Sequence, residues 1–502
     1  MSGDAGSEPR AQADPSPLHH LSPETKHEGI TTLLGHGKEV EICELDKSGN
    51  ITQKWLHTPD NQIVPVLAKN KSNNFIFRSM REWRKVLFDA FLPVGFPHSV
   101  SDDYFAYQTY DSLQAFFSTI TSLLANRALL QGLGVGDANS SATFALLLTI
   151  LKDAMSRVAT IVFAQQFGLR IEPDAKKYRF LADLFNDTAF FLELYSPYFG
   201  PWGKIVALTS GEALRALCGV SAGASKAALS VHFAKHDNLA ELNAKEASQE
   251  TAVGLIGLLV GTFLVKHVEN HQSVVYLMIG LVFAHLWMNY LGVRSVCMNN
   301  LNRQRATILF HEYLKFGKVL TPTEVAQREH IIFWSPVARN WHGEPIAHVE
   351  MAESYLHAMG GRNPRINIAI VDGGKHTQFI WCHSSTRLTP IKILLWQGAE
   401  PVHAIRSWFM ALEIAWLMEK GLGYTAQLDH IFCGEHGQFN IWTKDIVAKR
   451  KDGRDVDGYE KQFCEPKLWE GMAANGWNLE SQAFETAAPV RLTAQSRAKK
   501  DE

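Results

Sequence analysis

The sequence predicts a mainly α protein, with a helical membrane-associated domain followed by a smaller α/β carboxy-terminal domain. Three observations carry this. First, residues 251–293 contain only Lys266 and Glu269 from the Asp, Glu, Lys and Arg set, in a chain that is 20% charged overall. Second, from Pro97 to about Leu314 apolar residues recur at helical spacing, with polar residues dispersed among them. Third, beyond about residue 320 short β-branched and aromatic runs alternate with turn residues and one strongly amphipathic helix.

Composition narrows the classes of function. A chain of 502 residues has room for about three domains. Lys and Arg number 49 against 51 Asp and Glu, a net charge of −2, which argues against nucleic acid as a partner. The six cysteines form no CxxC pair, so neither a disulfide scaffold nor a zinc ribbon is expected, and the usage fits a reducing compartment.

Taken in order, residues 1–36 carry four prolines among Ser, Asp, Glu and His and are expected to be a disordered arm. The arm has no apolar core of a secretory signal and too few cations for a transit peptide, so the organelle stays open. Residues 37–74 form a short β segment: VEICEL and ITQKWL flank a turn at Lys47–Asn50, and QIVPVLA follows. The helical domain is assigned to 75–318. It opens with FIFRSMREWRKVLFDAF, a basic amphipathic helix that suits either a membrane surface or a core-covering role.

The candidate spans are 251–265 and 274–293. The second is twenty residues without a formal charge, which at ~1.5 Å per residue matches the ~30 Å hydrocarbon thickness. Gly254, Gly257 and Gly261 in the first would let another helix approach closely. The two form a hairpin turning at KHVENHQS, and Lys235, Lys245, Arg294, Arg303 and Arg305 flank its outer ends. The positive-inside rule then places both ends on the cytoplasmic or equivalent side. A hairpin buried in a large soluble domain is the alternative. Residues 319–486 are the α/β domain. There Thr321-Pro322-Thr323-Glu324 has the pattern of a capped helix start, INIAIV, QFIWCHS and IKILLWQG read as strands, and Val402–Lys420 as a helix. Residues 487–502 form a disordered polar tail.

Polar residues inside the apolar region are the candidates for chemistry, because an ionisable group in hydrocarbon is costly unless it pairs or lines a cavity. They are Asp137, Asp153, Arg157, Asp183, Asn186, Asp187, Lys226 and His232. Asp183 and Asp187 lie one helical turn apart. They can bind a cation or relay protons if buried, or simply pair with Lys176, Lys177 or Arg179 upstream. His285 and Asn289 share one face of the second span. The glycine run 132–136 followed by Asp137 matches neither nucleotide-binding fingerprint and reads as a turn between helices. His232 and His236 lack the Glu of a zinc-binding HExxH motif. No catalytic group, metal or cofactor is expected.

The ordered motifs FLPVGFPHSVSDDYFAYQTYDSLQAF (91–116), GLGVGDA (132–138), AKKYRFLADLFNDTAFFLEL (175–194), HDNLAELNAKEASQET (236–251) and LNRQRATIL (301–309) resemble the root UVB sensitive (RUS) family. Departures are mild: SAGASKAAL at 221–229 and LKDAMSRV at 151–158 replace glycine-richer runs. The resemblance implies a membrane protein linked to vitamin B6 homeostasis, of undefined molecular activity and without transferable catalytic residues. Three functions remain in play: small-metabolite transport or homeostasis, a membrane-anchored scaffold, or a peripheral enzyme. The expected partners are the lipid bilayer, a small-molecule ligand of unknown identity, and a related family member or a second copy of the chain.

Overall fold

A computed structural model describes residues 39–45, 51–58, 62–66, 83, 86–132, 142–235, 237–268, 270–340, 342–361, 368–372, 377–382, 388–419, 465–481, 483–487 and 490–494. The chain divides into two units, residues 1–84 and 85–502. In the first, β1 (Val40–Leu45), β2 (Ile51–His57) and β3 (Ile63–Pro65) form the expected antiparallel meander. Val40 stands opposite His57 and Glu44 opposite Gln53, with a register shift at Leu45. Lys54 donates to the Glu41 carboxylate at 2.6 Å across the pair. The turn at Lys47–Asn50 lies outside the described residues.

Six long helices begin the second unit: α1 (Tyr104–Gly132), α2 (Ala142–Ile171), α3 (Ala175–Tyr195), α4 (Pro201–Phe233), α5 (Leu239–His267) and α6 (His271–Ser295). Short connections at 172–174, 196–200, 234–238 and 268–270 force neighbours to run antiparallel. One end of the bundle is held together by three contacts. The Ser101 N–H donates to the Phe233 carbonyl, the Cys297 N–H to Asp103, and the Asn302 amide to the Pro173 carbonyl. We call this the near end. At the far end the Arg127 guanidinium donates to the Val265 and Val268 carbonyls, tying α1 to the turn of the α5–α6 hairpin.

α5 and α6 run antiparallel across the expected turn, but α1 packs against both of them, and the glycines of α5 serve α1 rather than α6. A methyl group at Gly257 would stand 3.0 Å from Thr119 Cβ and 3.2 Å from the Phe116 carbonyl oxygen, and one at Gly261 would stand 2.5 Å from Leu123 Cδ1, all on α1. Missing side chains therefore let α5 and α1 close on each other. Of the basic amphipathic helix expected over 75–91, residues 86–91 are described as helical. Lys245 donates to the Asp89 carbonyl and Gln249 to the Phe91 carbonyl, fixing this segment against α5.

Among the described residues, three helices are long and apolar enough to cross a membrane: Pro201–Phe233, Leu239–His267 and Gln272–Ser295. The first is an addition to the expected pair, because Lys204, Glu212, Arg215 and Lys226 interrupt its sequence. Only 11% of the most apolar stretch of α5 is buried. Leu255, Leu259 and Phe263 on α5, Ile279 and Phe283 on α6, and Leu147, Ile150 and Ile161 on α2 are exposed instead. So many exposed large apolar side chains on three helices are unusual for a water-soluble monomer.

The α/β part follows. α7 (Arg303–Phe316) ends on Gly317 in the left-handed region, with φ at 67°, and α8 (Pro322–Arg328) starts with the expected capping box. Strands β4 (Val337–Arg339), β5 (Pro345–Met351), β6 (Ile368–Asp372), β7 (Thr377–Cys382), β8 (Thr389–Trp396) and β9 (Arg491–Leu492) make a six-stranded mixed sheet, ordered β4-β5-β8-β7-β6. One edge of β8 is shared: β5 pairs in parallel with residues 389–393 and β9 with residues 395–396. The short helix α9 (Tyr355–Ala358) follows β5, and α10 (Pro401–Glu419) and α11 (Glu465–Ala474) are the remaining helices among the described residues. The core joins Leu309, Phe310 and Tyr313 of α7 to Ile391, Ile393 and Leu395 of β8 and to Trp408, Phe409 and Leu412 of α10. α7, grouped by sequence with the helical region, thus packs into the α/β core. Buried Trp408 donates its indole N–H to Thr307 at 2.9 Å, so its polar atom is satisfied as well as its bulk.

Candidate functional site

The inside of the bundle inverts the chemistry of its surface. α1 contributes Tyr107, Asp111 and Gln114 at helical spacing, α3 contributes Arg179, Asp183 and Asp187, and α6 contributes His285 and Asn289. Each of these is 9% exposed or less. Helical periodicity explains the convergence, since residues three or four apart share a face.

Arg179 is the hub. Its Nη2 donates to Asp111 Oδ1 at 2.6 Å and to Gln114 Oε1 at 2.9 Å, its Nη1 to Asp183 Oδ1 at 3.2 Å, and its Nε to the Tyr107 hydroxyl at 3.3 Å. The other Asp183 oxygen accepts from the Gln114 and Asn289 amides. One turn further along α3, Asp187 accepts from His285 Nδ1 at 2.9 Å. His285 Nε2 stands 3.7 Å from Asp183 Oδ2, so the imidazole bridges the two carboxylates. The result is a continuous polar track from Arg179 to Asp187, about 12 Å along the helix at ~1.5 Å per residue. In chemical terms it can hold a cation, relay a proton through His285, or fix three helices in register.

The other predicted residues are placed elsewhere. Asn186 is half-buried beside the cluster. Asp153 and Arg157 lie on the exposed face of α2 and do not reach the site; α2 turns Lys152 inward to Glu212 at 3.2 Å instead. Lys226 is half-exposed and paired with Glu250. His232 bonds Asp103 at 2.9 Å at the near end. Burial opposes ionisation of Asp103, but His232, the Cys297 N–H and the Ser101 hydroxyl outweigh it and hold the carboxyl at about 2. Asp137 and His236 lie outside the described residues. Asp111 and Gln114 are additions to the predicted set. The signal available for them was the polar series Tyr104, Gln108, Asp111 and Gln114 recurring every three to four residues in an otherwise apolar helix. Among the described residues, no group of three or more His, Cys, Asp or Glu is arranged to hold a metal ion.

A second buried ionic cluster joins the bundle to the α/β part. Glu329, just past α8, accepts from Lys176 of α3 at 2.5 Å and from Arg305 of α7 at 2.8 Å. Arg305 also donates to the Asn300 side chain at 2.6 Å, and Arg294 at the end of α6 donates to the Glu329 carbonyl at 2.9 Å.

Fold and site together define an α-helical bundle with an apolar exterior and an ionic interior, carrying an α/β domain. The chain belongs to the root UVB sensitive family. The family model described as the vitamin B6 photo-protection and homoeostasis domain matches residues 78–317, which include the whole bundle and the Arg179 cluster. Protein root UVB sensitive 3 of Arabidopsis thaliana is 31% identical over 398 residues, covering 76% of this chain and 88% of the relative. RUS family member 1 of Dictyostelium discoideum is 38% identical over 252 residues, covering 49% of this chain and 48% of the relative, so this chain spans about half of that protein's length. Protein root UVB sensitive 2, chloroplastic, of Arabidopsis thaliana is 29% identical over 245 residues, covering 48% of this chain and 55% of the relative. No solved structure matches the chain.

Proposed function

We propose that this chain is an integral membrane protein that moves or maintains a small polar metabolite, with vitamin B6 forms the first to test. The observation that carries this reading is the pairing of an outward apolar surface with a buried ionic track. Lipid suits the first, and the second is the arrangement by which polar groups are tolerated within a membrane. The family description supports the vitamin B6 part.

With α4, α5 and α6 as spans, the near end carries Lys235, Lys245 and Arg294 and faces the cytoplasmic or equivalent side. Exposed Tyr195, Tyr198, Phe199 and Trp202 at the far end fit an interfacial aromatic belt. Asp153 and Arg157 are the exception on this surface. A second copy of the chain, or a related family member, covering that face of α2 would remove them from lipid.

The test is reconstitution into liposomes followed by uptake of pyridoxal, pyridoxine and pyridoxamine. Saturable uptake of at least one vitamer, reduced at least tenfold by Asp187→Asn, is expected, because that change removes the carboxylate charge that faces His285 in the track. Correctly inserted protein that moves none of the three contradicts the transport reading. A second reading, a membrane anchor presenting the α/β domain to a partner, draws on the exposed Phe333, Tyr355 and Leu356 of that domain. Under it, Asp183→Asn and Asp187→Asn leave function intact.

A further inference from the structure

The buried charges of the bundle do not balance. Asp111, Asp183, Asp187 and Glu246 are 5% exposed or less, against one guanidinium, Arg179, and one imidazole, His285. Were all four ionised, they would exceed the two cations by two charges even with His285 protonated. Lys226, the nearest further cation acting on Glu246, is bonded to Glu250. Uncompensated carboxylates are among the costliest groups to bury.

Several of the buried polar atoms without a hydrogen-bond partner lie along α1 and the part of α5 that faces it. Among the described residues, they include the Tyr104 hydroxyl, both amide atoms of Gln108, Asp111 Oδ2 and both carboxylate oxygens of Glu246, whose polar neighbour, the Ser230 hydroxyl, does not complete a well-formed hydrogen bond. Tyr104, Gln108 and Asp111 occupy positions i, i+4 and i+7, one face of α1, and so form a row about 10 Å long at ~1.5 Å per residue. Glu246 approaches from α5, close enough to interact electrostatically with both Tyr104 and Asp111. The row starts at the near end, where Tyr104 opens α1, and ends where Asp111 meets Arg179 through its other oxygen. Gln249, also close to Tyr104, has its amide committed to the Phe91 carbonyl. Native interiors leave few such atoms, and a row of them calls for polar company, from a ligand or from ordered water.

The chemistry of the row defines the ligand that fits it. Two carboxylates call for positive charge. The amide and the hydroxyl, each able to donate and accept, call for further polar groups spaced along the ligand. Polar groups spread over about 10 Å suit a molecule better than a single ion. We propose that Tyr104, Gln108, Asp111 and Glu246 form the ligand seat of the bundle, and that it takes a small organic cation bearing a primary ammonium group and at least one hydroxyl. The ammonium sits between Asp111 Oδ2 and Glu246, and the hydroxyl reaches Gln108 or Tyr104. This rests on the small-metabolite reading above and names the class of metabolite.

The test is equilibrium binding by titration calorimetry on the full chain in detergent or nanodiscs, with pyridoxamine as the aminated probe and pyridoxine as its counterpart without the amine. Pyridoxamine is expected to bind at least tenfold more tightly. Glu246→Gln is expected to weaken pyridoxamine at least tenfold, leave pyridoxine within twofold, and leave the unfolding temperature undiminished, since it removes an unpaired buried charge. Tyr104→Phe, a smaller change, is expected to weaken binding of both probes. Equal binding of the two probes overturns the proposal, as does pyridoxamine affinity untouched by Glu246→Gln. Binding of neither probe overturns it too, and assigns the row to water and a protonated Glu246. Since no gradient is involved, binding intact beside absent uptake in liposomes removes the transport reading and leaves the seat standing.

Discussion

Arg179→Met is expected to destabilise the helical bundle by about 3–5 kcal/mol, the usual effect of removing one partner from a buried ion pair. The guanidinium satisfies Asp111, Gln114, Asp183 and the Tyr107 hydroxyl together, and these come from two helices, α1 and α3. Methionine keeps much of the length of the side chain but strands two carboxylates that lie 2% and 8% exposed. Thermal unfolding in detergent, followed by loss of helical circular dichroism, reads the effect. The triple variant Arg179→Met, Asp111→Asn, Asp183→Asn neutralises the stranded charges and is expected to recover more than half of the loss. Were the single variant as stable as the parent, the network would be ornamental, and the argument for a functional ionic interior would lose its foundation.

Glu329→Gln is expected to destabilise the junction between bundle and α/β domain by a similar amount, about 3–5 kcal/mol, because it leaves Lys176 and Arg305 buried without a counter-charge. This site also predicts a pH dependence. Burial raises the pKa of Glu329, but Lys176 and Arg305 outweigh that and hold the carboxyl below its ordinary value of 4.5. A group whose folded pKa lies below its unfolded one contributes stability in full above about 4.5. That contribution is lost as pH falls from there through the folded value, where the native carboxylate finally protonates. Unfolding temperatures measured from pH 7 to pH 3 are therefore expected to fall more steeply below 4.5 in the parent than in Glu329→Gln. Parallel curves would show that Glu329 contributes nothing specific.

Much of this architecture was legible in the sequence because it rests on periodicity. The charge-poor stretch 251–293 became the α5–α6 hairpin, the strand runs became β6, β7 and β8, and Thr321 with Glu324 became the capping box of α8. Asp183, Asp187, His285 and Asn289 could each be seen as polar residues on apolar helices. What periodicity does not carry is the partner across space. Nothing in the spacing of α1 announces that Asp111 and Gln114 meet Arg179, 68 and 65 residues along the chain. For the same reason Asp153 and Arg157 looked equivalent to Asp183. A helix has several faces, and only packing decides which one turns inward. Glu246 was hidden differently: in sequence it is one acid in the polar run 236–250, and its burial follows from where α5 crosses α1. Pro201–Phe233 carries Lys204, Glu212, Arg215 and Lys226, which mask its apolar character in sequence, yet Arg215 pairs with Glu193 and Lys226 with Glu250 rather than facing outward alone.

The outer faces of these helices are expected to contact lipid. A nitroxide label at Leu259→Cys, on the exposed apolar face of α5, tests it in nanodiscs by comparing collisions with dissolved oxygen, which partitions into lipid, and with a water-soluble nickel chelate. The account predicts relaxation dominated by oxygen with little effect of the chelate. Relaxation dominated by the chelate would place α5 in water and contradict it.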